Sequence, residues 1–481
     1  MKTDYKFVEY GRFSSEFEYS RLSQLCIEKN GVQTGPFGSQ LHKEDYVAEG
    51  TPIITVEHLG DNRIIHIDTP FVTDDDKKRL QKYQMKEGDI IFSRVGSVDR
   101  RALVRKGEDG WLFSGRCLCV RVDKTKIDPT YLSYFFGLES FKTYIRGIAV
   151  GATMPSINTK ILSDVPVYYT KNLNQQKKIA KILSDLDDKI HLNNQINQTL
   201  ESIAQAIFKS WFIDFDPVRA KIVAKQEGKD SELAAMCAIS GKSEAELKQM
   251  SEEDFAELQA TAALFPDELV ESELGEVPKG WELQSLYDTA DFINGAAFKA
   301  KDFSSNTEGL PIIKIAELKQ GLSAQTKYTN SSFDKKYKVS SGDIFYSWSG
   351  SPETSLDVFK WFGGDGWLNQ HIFKINTKNK GQTYFVYYLL KYLKPTLIRL
   401  ATNKQTTGLG HITVADMKSL QVIKPEEHLF LRYAKIVAPF YEKESLLKQE
   451  IINLAMLRDT LLPKLLSGEI SLNKNMGSID D

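Results

Sequence analysis

The sequence has few of the residues that build disulfide frameworks and metal centres. Its 481 residues include four cysteines and seven histidines, and neither a Cys-x-x-Cys nor a His-x-x-x-His spacing occurs. We therefore expect neither a structural disulfide nor a metal site. Apolar runs stay well below the roughly 20 residues that span a bilayer, and the N-terminus lacks an apolar signal region. These absences predict a cytoplasmic protein without membrane contact.

Motifs for nucleotide and methyl-group chemistry are also missing. Residues 241–243 (Gly-Lys-Ser) resemble the end of a phosphate-binding loop, but Met236 occupies the position where that loop requires glycine. The Asn/Asp-Pro-Pro-aromatic tetrapeptide of amino-methyltransferases does not occur. The sequence therefore indicates a non-catalytic chain with no cofactor of its own.

Charge is unevenly distributed, although the net charge is only −2. Residues 214–276 contain 16 acidic and 6 basic side chains, which leaves the rest of the chain with a charge of about +8. Residues 77–106 alone contain 10 basic and 3 acidic side chains. A basic surface of this kind favours an anionic partner.

The chain contains the same pattern twice, with an offset of 253 to 259 residues. The matching segments follow one order in both halves: residues 50–54 and 309–313, 88–93 and 342–347, 110–112 and 366–368, 131–135 and 384–388, and 157–159 and 412–414. A repeat of this length is a complete domain rather than a solenoid unit. Two copies of one fold give a pseudo-two-fold molecule, for which duplex DNA is a suitable partner.

Each copy is predicted to be mixed α/β. In the first copy, β-rich runs bounded by Gly, Pro or Asp lie at residues 52–59, 89–95, 111–122 and 164–169. Cys117 and Cys119 alternate within one of these runs and should share a face of its strand. Residues 129–145 carry Tyr, Leu and Phe along one side and are predicted to form a helix.

A long amphipathic helix should follow each copy. After residue 174, seam residues recur every seven positions at Ile179, Leu186, Asn193, Leu200 and Ile207, and Ile182, Ile196 and Ile203 form a second seam. Residues 427–466 have a similar pattern that includes Phe440, Leu447, Leu454 and Leu461. Heptads over roughly 35–40 residues are typical of a coiled coil. We expect the two helices to pair in antiparallel orientation, with Asn193 fixing their register.

The acidic segment at residues 215–276 is rich in Ala, Glu and Leu, and helices are expected at 243–250 and 251–263. It is either a helical connector or a protein-docking surface. The whole chain is predicted to be α+β, with two pseudo-symmetric mixed α/β domains separated by a pair of long antiparallel coiled-coil helices. The predicted boundaries are 1–172 for the first domain, 173–275 for the central helical region, 276–425 for the second domain and 426–481 for the C-terminal helical region.

Loops of the first copy carry polar and basic side chains that can reach an anionic ligand. The candidates are Gln33, Ser39, Lys43, Ser93, Arg94, Arg100, Arg101 and Arg116. Amide, Lys and Arg side chains can pair with base edges, and other polar groups grip phosphates. The alternative is that these are ordinary loops with solvated charges, in which Arg94 pairs with Asp89 or Asp99.

The corresponding loops of the second copy carry different side chains. The candidates there are Lys299, Lys301, Ser347, Trp348, Ser349, Gln370 and His371. Residues 347–354 contain one aromatic and no arginine, so this copy would read a different sequence. The loops at 153–158 and 407–413 are expected to position the last helix and strand of each copy.

Several short motifs occur in an order that resembles the specificity subunits of type I restriction–modification systems. They are Gly-Pro-Phe-Gly-Ser at 35–39, Gly-Asp-Ile-Ile-Phe-Ser-Arg-Val-Gly at 88–96, Gly-Ala-Thr-Met-Pro-Ser-Ile-Asn at 151–158, Gln-Gln-Lys-Lys-Ile-Ala-Lys-Ile-Leu-Ser at 175–184 and Trp-Phe-Ile-Asp-Phe-Asp-Pro-Val-Arg at 211–219. With the duplication and the two long helices, the resemblance covers nearly the whole chain. The second copy departs from the motifs at 296–299 and 347–349.

The resemblance implies two target-recognition domains, each of which reads one half of a bipartite, gapped site in double-stranded DNA. The helices would set the spacing between the half-sites and dock two modification subunits through the nine seam residues from Ile179 to Leu461. Restriction subunits would join the same complex. The partners would use S-adenosylmethionine, ATP and Mg²⁺, and this chain would bind no cofactor.

Two other functions stay open on the sequence alone. A two-headed scaffold or adhesion-type protein would bind proteins or glycans, but it leaves the divergent polar loops on a shared scaffold unexplained. A methylase with its own recognition domains would need a cofactor loop, which the sequence does not contain.

Overall fold

The computed structural model describes residues 4–36, 40–404 and 408–472, with the exception of the Lys43 side chain. The chain folds into two compact units. The first unit contains the chain up to His191 and from Ile451 onward, and the second contains Leu192–Glu450. Each unit therefore combines one copy of the repeat with parts of both long helices.

Two four-stranded sheets form the centre of the first unit. One has the strand order Leu112–Phe113, Thr51–Ile54, Phe71–Val72, Tyr46–Val47. The other has the order Val32–Thr34, Cys117–Val120, Ile90–Ser93, Arg101–Leu103. Further strand pairs are Tyr5–Val8 with Gly11–Ser14 and Glu18–Arg21 with Pro166–Tyr169.

The central strands of the second sheet are apolar on both faces because each face packs into a different core. Phe92 and Leu118 belong to the core that includes the helices, whereas Ile91, Cys117 and Cys119 belong to the core shared with the first sheet. The predicted common face of the two cysteines is confirmed. Burial raises the pKa of the Cys117 thiol to about 12. Each predicted β-rich run contains a strand, although the observed strands are shorter.

The helix predicted at residues 129–145 is two helices, Pro129–Phe135 and Glu139–Ile148. The break lies at Gly137, where a Cβ atom would stand 2.3 Å from a guanidinium nitrogen of Arg101. The prediction of one continuous helix is wrong here, because apolar periodicity does not register a close approach that only glycine permits.

The second unit has a related two-sheet arrangement. One sheet has the order Asp291–Asn294, Ile372–Asn376, Ile344–Ser347, Asp357–Lys360. The other has the order Tyr328–Thr329, Leu310–Ile313, Gly366–Leu368, Lys338–Val339. Further strand pairs are Leu269–Ser272 with Gly275–Pro278, Glu282–Ser285 with Gln421–Lys424, and Ser349–Gly350 with Gly410–His411. Shorter helices of both units are Leu22–Leu25, Asp74–Arg79, Thr159–Ser163, Ile315–Gln320, Pro352–Ser355, Lys380–Thr402 and Val414–Ser419.

A parallel strand pair fixes how the two copies correspond. Ile53 lies opposite Leu112 in the first unit, and Ile312 lies opposite Trp367 in the second. Leu112 and Trp367 are therefore equivalent. The Gly-Trp-Leu match in the sequence, which equates Trp111 with Trp367, is displaced by one residue.

The two long helices are Leu173–Phe212 and Glu427–Leu466, each of 40 residues. In the second unit, Asn193 Nδ2 donates to Glu450 Oε2 at 2.9 Å and the Tyr433 hydroxyl donates to the carbonyl of Ala204 at 3.2 Å. Rising numbers on one helix thus meet falling numbers on the other, and the predicted antiparallel pairing is confirmed. Within the described ranges, no helix combines the length and apolar character needed to cross a bilayer.

The centre of the helix seam differs from the predicted one. Among the predicted residues, Ile179, Asn193 and Leu447 are buried, and Leu186, Leu200, Ile207, Phe440, Leu454 and Leu461 are half-buried. The predicted second seam holds only in part: Ile182 packs against the core of the first unit and Ile196 is half-buried, but Ile203 is 42% exposed. Buried positions spaced by multiples of seven are Gln176, Leu183, Asn197, Ala204 and Trp211. An apolar heptad search misses this row because it contains two amides and an alanine.

The acidic segment forms four helices, Asp216–Gln226, Ser231–Ser240, Glu244–Leu247 and Glu252–Ala262. Ser243 and Ser251 cap the last two by accepting hydrogen bonds from the backbone amides of Glu246 and Asp254. The two predicted helices are therefore confirmed. A small core of Ala235, Met236, Leu247 and Ala262 holds the segment together.

In the second unit, a buried lysine joins the sheet to both long helices. The Lys360 side chain is 3% exposed, and its Nζ lies 2.8 Å from Glu201 Oε2 and 2.6 Å from Glu444 Oε2. The ring centroids of Tyr387 and Tyr441 lie 4.3 and 4.8 Å from the same nitrogen. Burial raises the pKa of Glu444, with Lys360 opposing the shift. Two carboxylates and aromatic faces thus compensate the desolvation of one ammonium group.

In the first unit, the two long helices contribute both an anion and a cation to the corresponding connection. Arg101 Nη1 lies 3.4 Å from Asp61 Oδ1, and Arg458 on the second long helix lies 3.7 Å from Asp61 Oδ2. Arg458 also lies 2.8 Å from Asp187 on the first long helix, which accepts a hydrogen bond from the Tyr134 hydroxyl at 2.7 Å. Burial opposes ionisation of Asp61, but Arg101 and Arg458 hold its pKa below the usual value.

Lys360→Met should lower the free energy of unfolding by on the order of 3 kcal/mol, because it leaves two carboxylates in a largely buried position without a cation. Urea unfolding of the full chain near pH 7 measures this loss. The deficit should shrink toward pH 5, because burial raises the pKa of Glu444 and its protonation in the folded state removes one unpaired charge.

The matched control is Lys424→Met, since Lys424 forms an exposed pair with Glu282 and its loss should change the stability little. Adding Glu201→Gln and Glu444→Gln to Lys360→Met should recover most of the stability. Equal losses for Lys360→Met and Lys424→Met would contradict a buried ionic connection.

Candidate nucleic-acid interface

The same backbone frame surrounds one loop in each unit. The amide of Arg94 donates to the carbonyl of Arg116 at 2.8 Å, and the amide of Trp348 donates to the carbonyl of His371 at 3.4 Å. On the other side, the Arg94 carbonyl accepts from the Ile157 amide at 2.9 Å. The Trp348 carbonyl likewise accepts from the amide of residue 412 at 2.8 Å. Arg94 therefore corresponds to Trp348, and Arg116 corresponds to His371.

A glycine packs beneath each of these loops. A Cβ atom on Gly35 would lie 2.2 Å from the carbonyl oxygen of Ser114, and one on Gly295 would lie 2.2 Å from that of Asn369. No side chain fits in this space. The Gly-Asp motif that occurs in both copies also supports the backbone: Asp89 Oδ2 accepts a hydrogen bond from the backbone amide of Lys86 at 2.8 Å.

In the first unit, two of the predicted contact residues lie in the interior. Ser93 is buried, and its hydroxyl donates to the carbonyl of Val95 at 2.8 Å. Arg101 is 4% exposed and donates from Nε to the carbonyl of Ser133 at 2.7 Å. Both were expected at the ligand surface because strand-exit loops are usually exposed. Their burial corrects that expectation and removes them from the candidate interface.

Arg94 and Arg100 support loops of the interface. Arg94 Nη1 donates to the carbonyl of Gly115 at 3.2 Å, and Arg100 Nη2 donates to the carbonyl of Leu59. The alternative pairing of Arg94 with Asp89 or Asp99 is not observed: those carboxylates pair with Arg121 and Arg146, whose nitrogens lie 2.5 and 2.6 Å away.

Arg116 is exposed and lies at the rim of a groove of about 540 Å³. The groove is lined by residues that include Pro36, Tyr46, Thr55, Glu57, Arg94 and Arg116. Burial raises the pKa of Tyr46, and the Asp45 carboxylate adds to the shift, so its hydroxyl stays protonated at neutral pH. This arrangement offers hydrogen-bond donors and acceptors to a ligand that follows the groove.

The remaining candidate residues of the first copy contribute less to the candidate interface. Gln33 donates from Nε2 to the carbonyl of Lys82 at 2.9 Å, so its amide supports the fold. Ser39 and the side chain of Lys43 lie outside the described residues. In the second unit, Lys299 and Lys301 are exposed at a short helical turn.

The second-unit face is aromatic where the first is cationic. Trp348 donates from Nε1 to Asn294 Oδ1 at 3.0 Å, and its ring centroid lies 5.7 Å from that of the exposed His371. Gln370 Nε2 lies 3.4 Å from His371 Nε2. Ser347 is fully buried, which removes this predicted contact for the same reason as Ser93.

Two residues of this face were not identified from the sequence. Asn294 holds the indole of Trp348, and His411 pairs with Ser349 in a short antiparallel bridge. The bridge joins positions far apart in the chain, and only the assembled fold brings them together. The segment that carries His411 otherwise behaves as predicted, because Thr413 caps the following helix as Asn158 does in the first copy. Thr407 lies outside the described residues.

Gly35→Ala and Gly295→Ala should each lower the free energy of unfolding by about 1–3 kcal/mol, because the added methyl group overlaps a carbonyl oxygen beneath the loop. Chemical denaturation measures the loss. Gly107→Ala is the control, since a Cβ atom there would meet nothing within 4 Å. Stability unchanged by Gly35→Ala would show that the loop is not held in this way.

Comparison with known proteins gives one consistent result. The family described as "Type I restriction modification DNA specificity domain" matches the chain twice, at residues 14–202 and 278–455. The specificity subunit of the type I restriction enzyme HindI from Haemophilus influenzae is 31% identical over 439 residues, which cover 87% of this chain and 95% of that protein. The MjaIX specificity subunit of Methanocaldococcus jannaschii is 23% identical over 483 residues, with 98% of both chains covered.

A solved structure shows the same fold. The S subunit of a type I restriction–modification system from M. genitalium superimposes with a TM-score of 0.52 at 16% identity, over 93% of this chain and 96% of that chain. The family match covers most of the sequence and both copies of the repeat. The chain therefore belongs to the family of type I restriction–modification DNA specificity proteins.

Proposed function

We propose that this chain is the specificity subunit of a type I restriction–modification complex, in which each recognition domain reads one half of a bipartite, gapped DNA site. One observation carries the proposal: the two domains hold equivalent loops with the same backbone hydrogen bonds but display different side chains. A symmetric scaffold with asymmetric surfaces suits a site with two unlike halves. The family match does not favour a scaffold that binds proteins or glycans.

The paired helices set the spacing between the half-sites and dock two modification subunits. The half-buried seam residues Leu186, Leu200, Phe440 and Leu454 retain apolar surface that a partner helix can cover. The chain itself is non-catalytic and binds no cofactor. Methylation with S-adenosylmethionine and ATP- and Mg²⁺-dependent restriction belong to the partner subunits, and the complex acts in the cytoplasm.

DNA binding by the full chain, with its modification subunits, should weaken steeply with salt. If about six to ten phosphates are contacted, affinity should fall by roughly 10³- to 10⁵-fold between about 50 and 200 mM salt. Fluorescence anisotropy with a labelled duplex measures this slope. An affinity that is insensitive to salt would favour an apolar protein partner instead of DNA.

Lengthening the helix pair should change the gap between the half-sites. Seven residues inserted between Asp188 and Asn193 and seven between Glu450 and Arg458 add about 10 Å of helix, or about three base pairs. Sequencing of methylated sites in cells that carry the variant and its partners reads the gap directly. Both half-site sequences should stay the same.

The control carries the insertion in the first helix alone. It should lose stability, because the Asp187–Arg458 contact and the seam shift out of register. An unchanged gap in the stable double insertion would exclude the helices as the determinant of spacing.

A further inference from the structure

The loop that carries Arg116 and the equivalent loop that carries His371 have the same backbone hydrogen bonds but expose different side chains. Both residues occupy the position whose carbonyl accepts the amide of the strand-exit residue. Both follow a turn in which the amide after them donates back three residues, at 2.9 Å from Cys117 to Ser114 and at 3.2 Å from Ile372 to Asn369. The backbone is therefore the same, and the exposed side chain is an arginine in one domain and an imidazole in the other.

The Arg116 guanidinium is available and its loop is rigid. Among the residues that the structure describes, its side chain has no hydrogen-bond, ion-pair or ring partner. Gly35 packs against the carbonyl of Ser114, and Arg94 donates to that of Gly115. The backbone that carries Arg116 therefore loses little order on binding, and its guanidinium is free to reach a ligand.

Phosphates are chemically the same at both half-sites, so a position that grips the backbone gains nothing from differing between the domains. The bases, in contrast, differ between the two half-sites. The exchange of Arg116 for His371, on one backbone, is what a base-reading position requires.

We propose that residues 116 and 371 are the equivalent base-reading positions of the two domains, and that Arg116 reads a guanine through its O6 and N7 atoms. The inference rests on the proposed function and adds the base class and the residue. A guanidinium offers a planar fork of donors that matches this edge in the major groove. The imidazole of His371 offers one ring nitrogen at a time and cannot form the same fork, so the second half-site should lack this contact.

The experiment selects bound duplexes from a randomised library with the full chain and its modification subunits, followed by sequencing. The wild type should enrich a bipartite site with a fixed guanine in one half. Arg116→Ala should lose the preference at that base pair by about 5- to 150-fold and keep all other positions. His371→Arg should introduce a guanine preference at one position of the other half.

Arg12→Ala is the matched control, since Arg12 is also an exposed arginine of the first unit, stacks on Tyr5 and does not line the groove that Arg116 lines. It should leave every preference unchanged. A uniform loss of affinity for Arg116→Ala, with a salt slope reduced by about one, would make Arg116 a phosphate contact and overturn the inference. Unchanged preferences would overturn it too. Failure of the wild type to enrich any sequence would instead reject the proposed function itself.

Discussion

The arrangement of each domain depends on buried charge that ties its sheet to both long helices. In the second unit, Lys360 lies between Glu201 and Glu444, which belong to different helices. Apolar packing alone tolerates sliding, because it is non-directional and depends on the area removed from water. A largely buried ion pair tolerates little displacement, because separating the two charges leaves each of them desolvated without a compensating partner. The domain is therefore fixed on the helices by a contact that is costly to break.

That fixed scaffold explains how the two copies can diverge at their loops. The strands, the glycines beneath the loops and the backbone hydrogen bonds of the strand exits repeat from one unit to the other. The side chains that point outward do not repeat. Because the main-chain hydrogen bonds are the same in both units, one backbone arrangement accommodates Arg94 or Trp348, and Arg116 or His371, at equivalent positions. Recognition can thus change without a change of fold.

The sequence predicts the secondary structure well and the burial of individual polar side chains poorly. The two long helices, the strand runs and the helices of the acidic segment are predictable because periodicity and helix-start residues are local signals. The buried row with Gln176 and Asn197 was not, since amides in a helix sequence normally indicate a solvated face. Arg101 was assigned to the surface for the same reason. Burial of a charged group is set by partners such as Asp61, which lies 40 residues away in the chain.

The two domains are not interchangeable on their helices, although their folds match. In the first unit the helices supply Asp187 and Arg458, whereas in the second they supply two carboxylates. The strand registers place Leu103 at the position of Lys360. The first domain on the second helix segment would place Leu103 where Lys360 lies and leave Glu201 and Glu444 without their cation. The pseudo-symmetry thus holds for the central strands and the loops at their ends but is broken for charge, so each domain is matched to its own part of the helix pair.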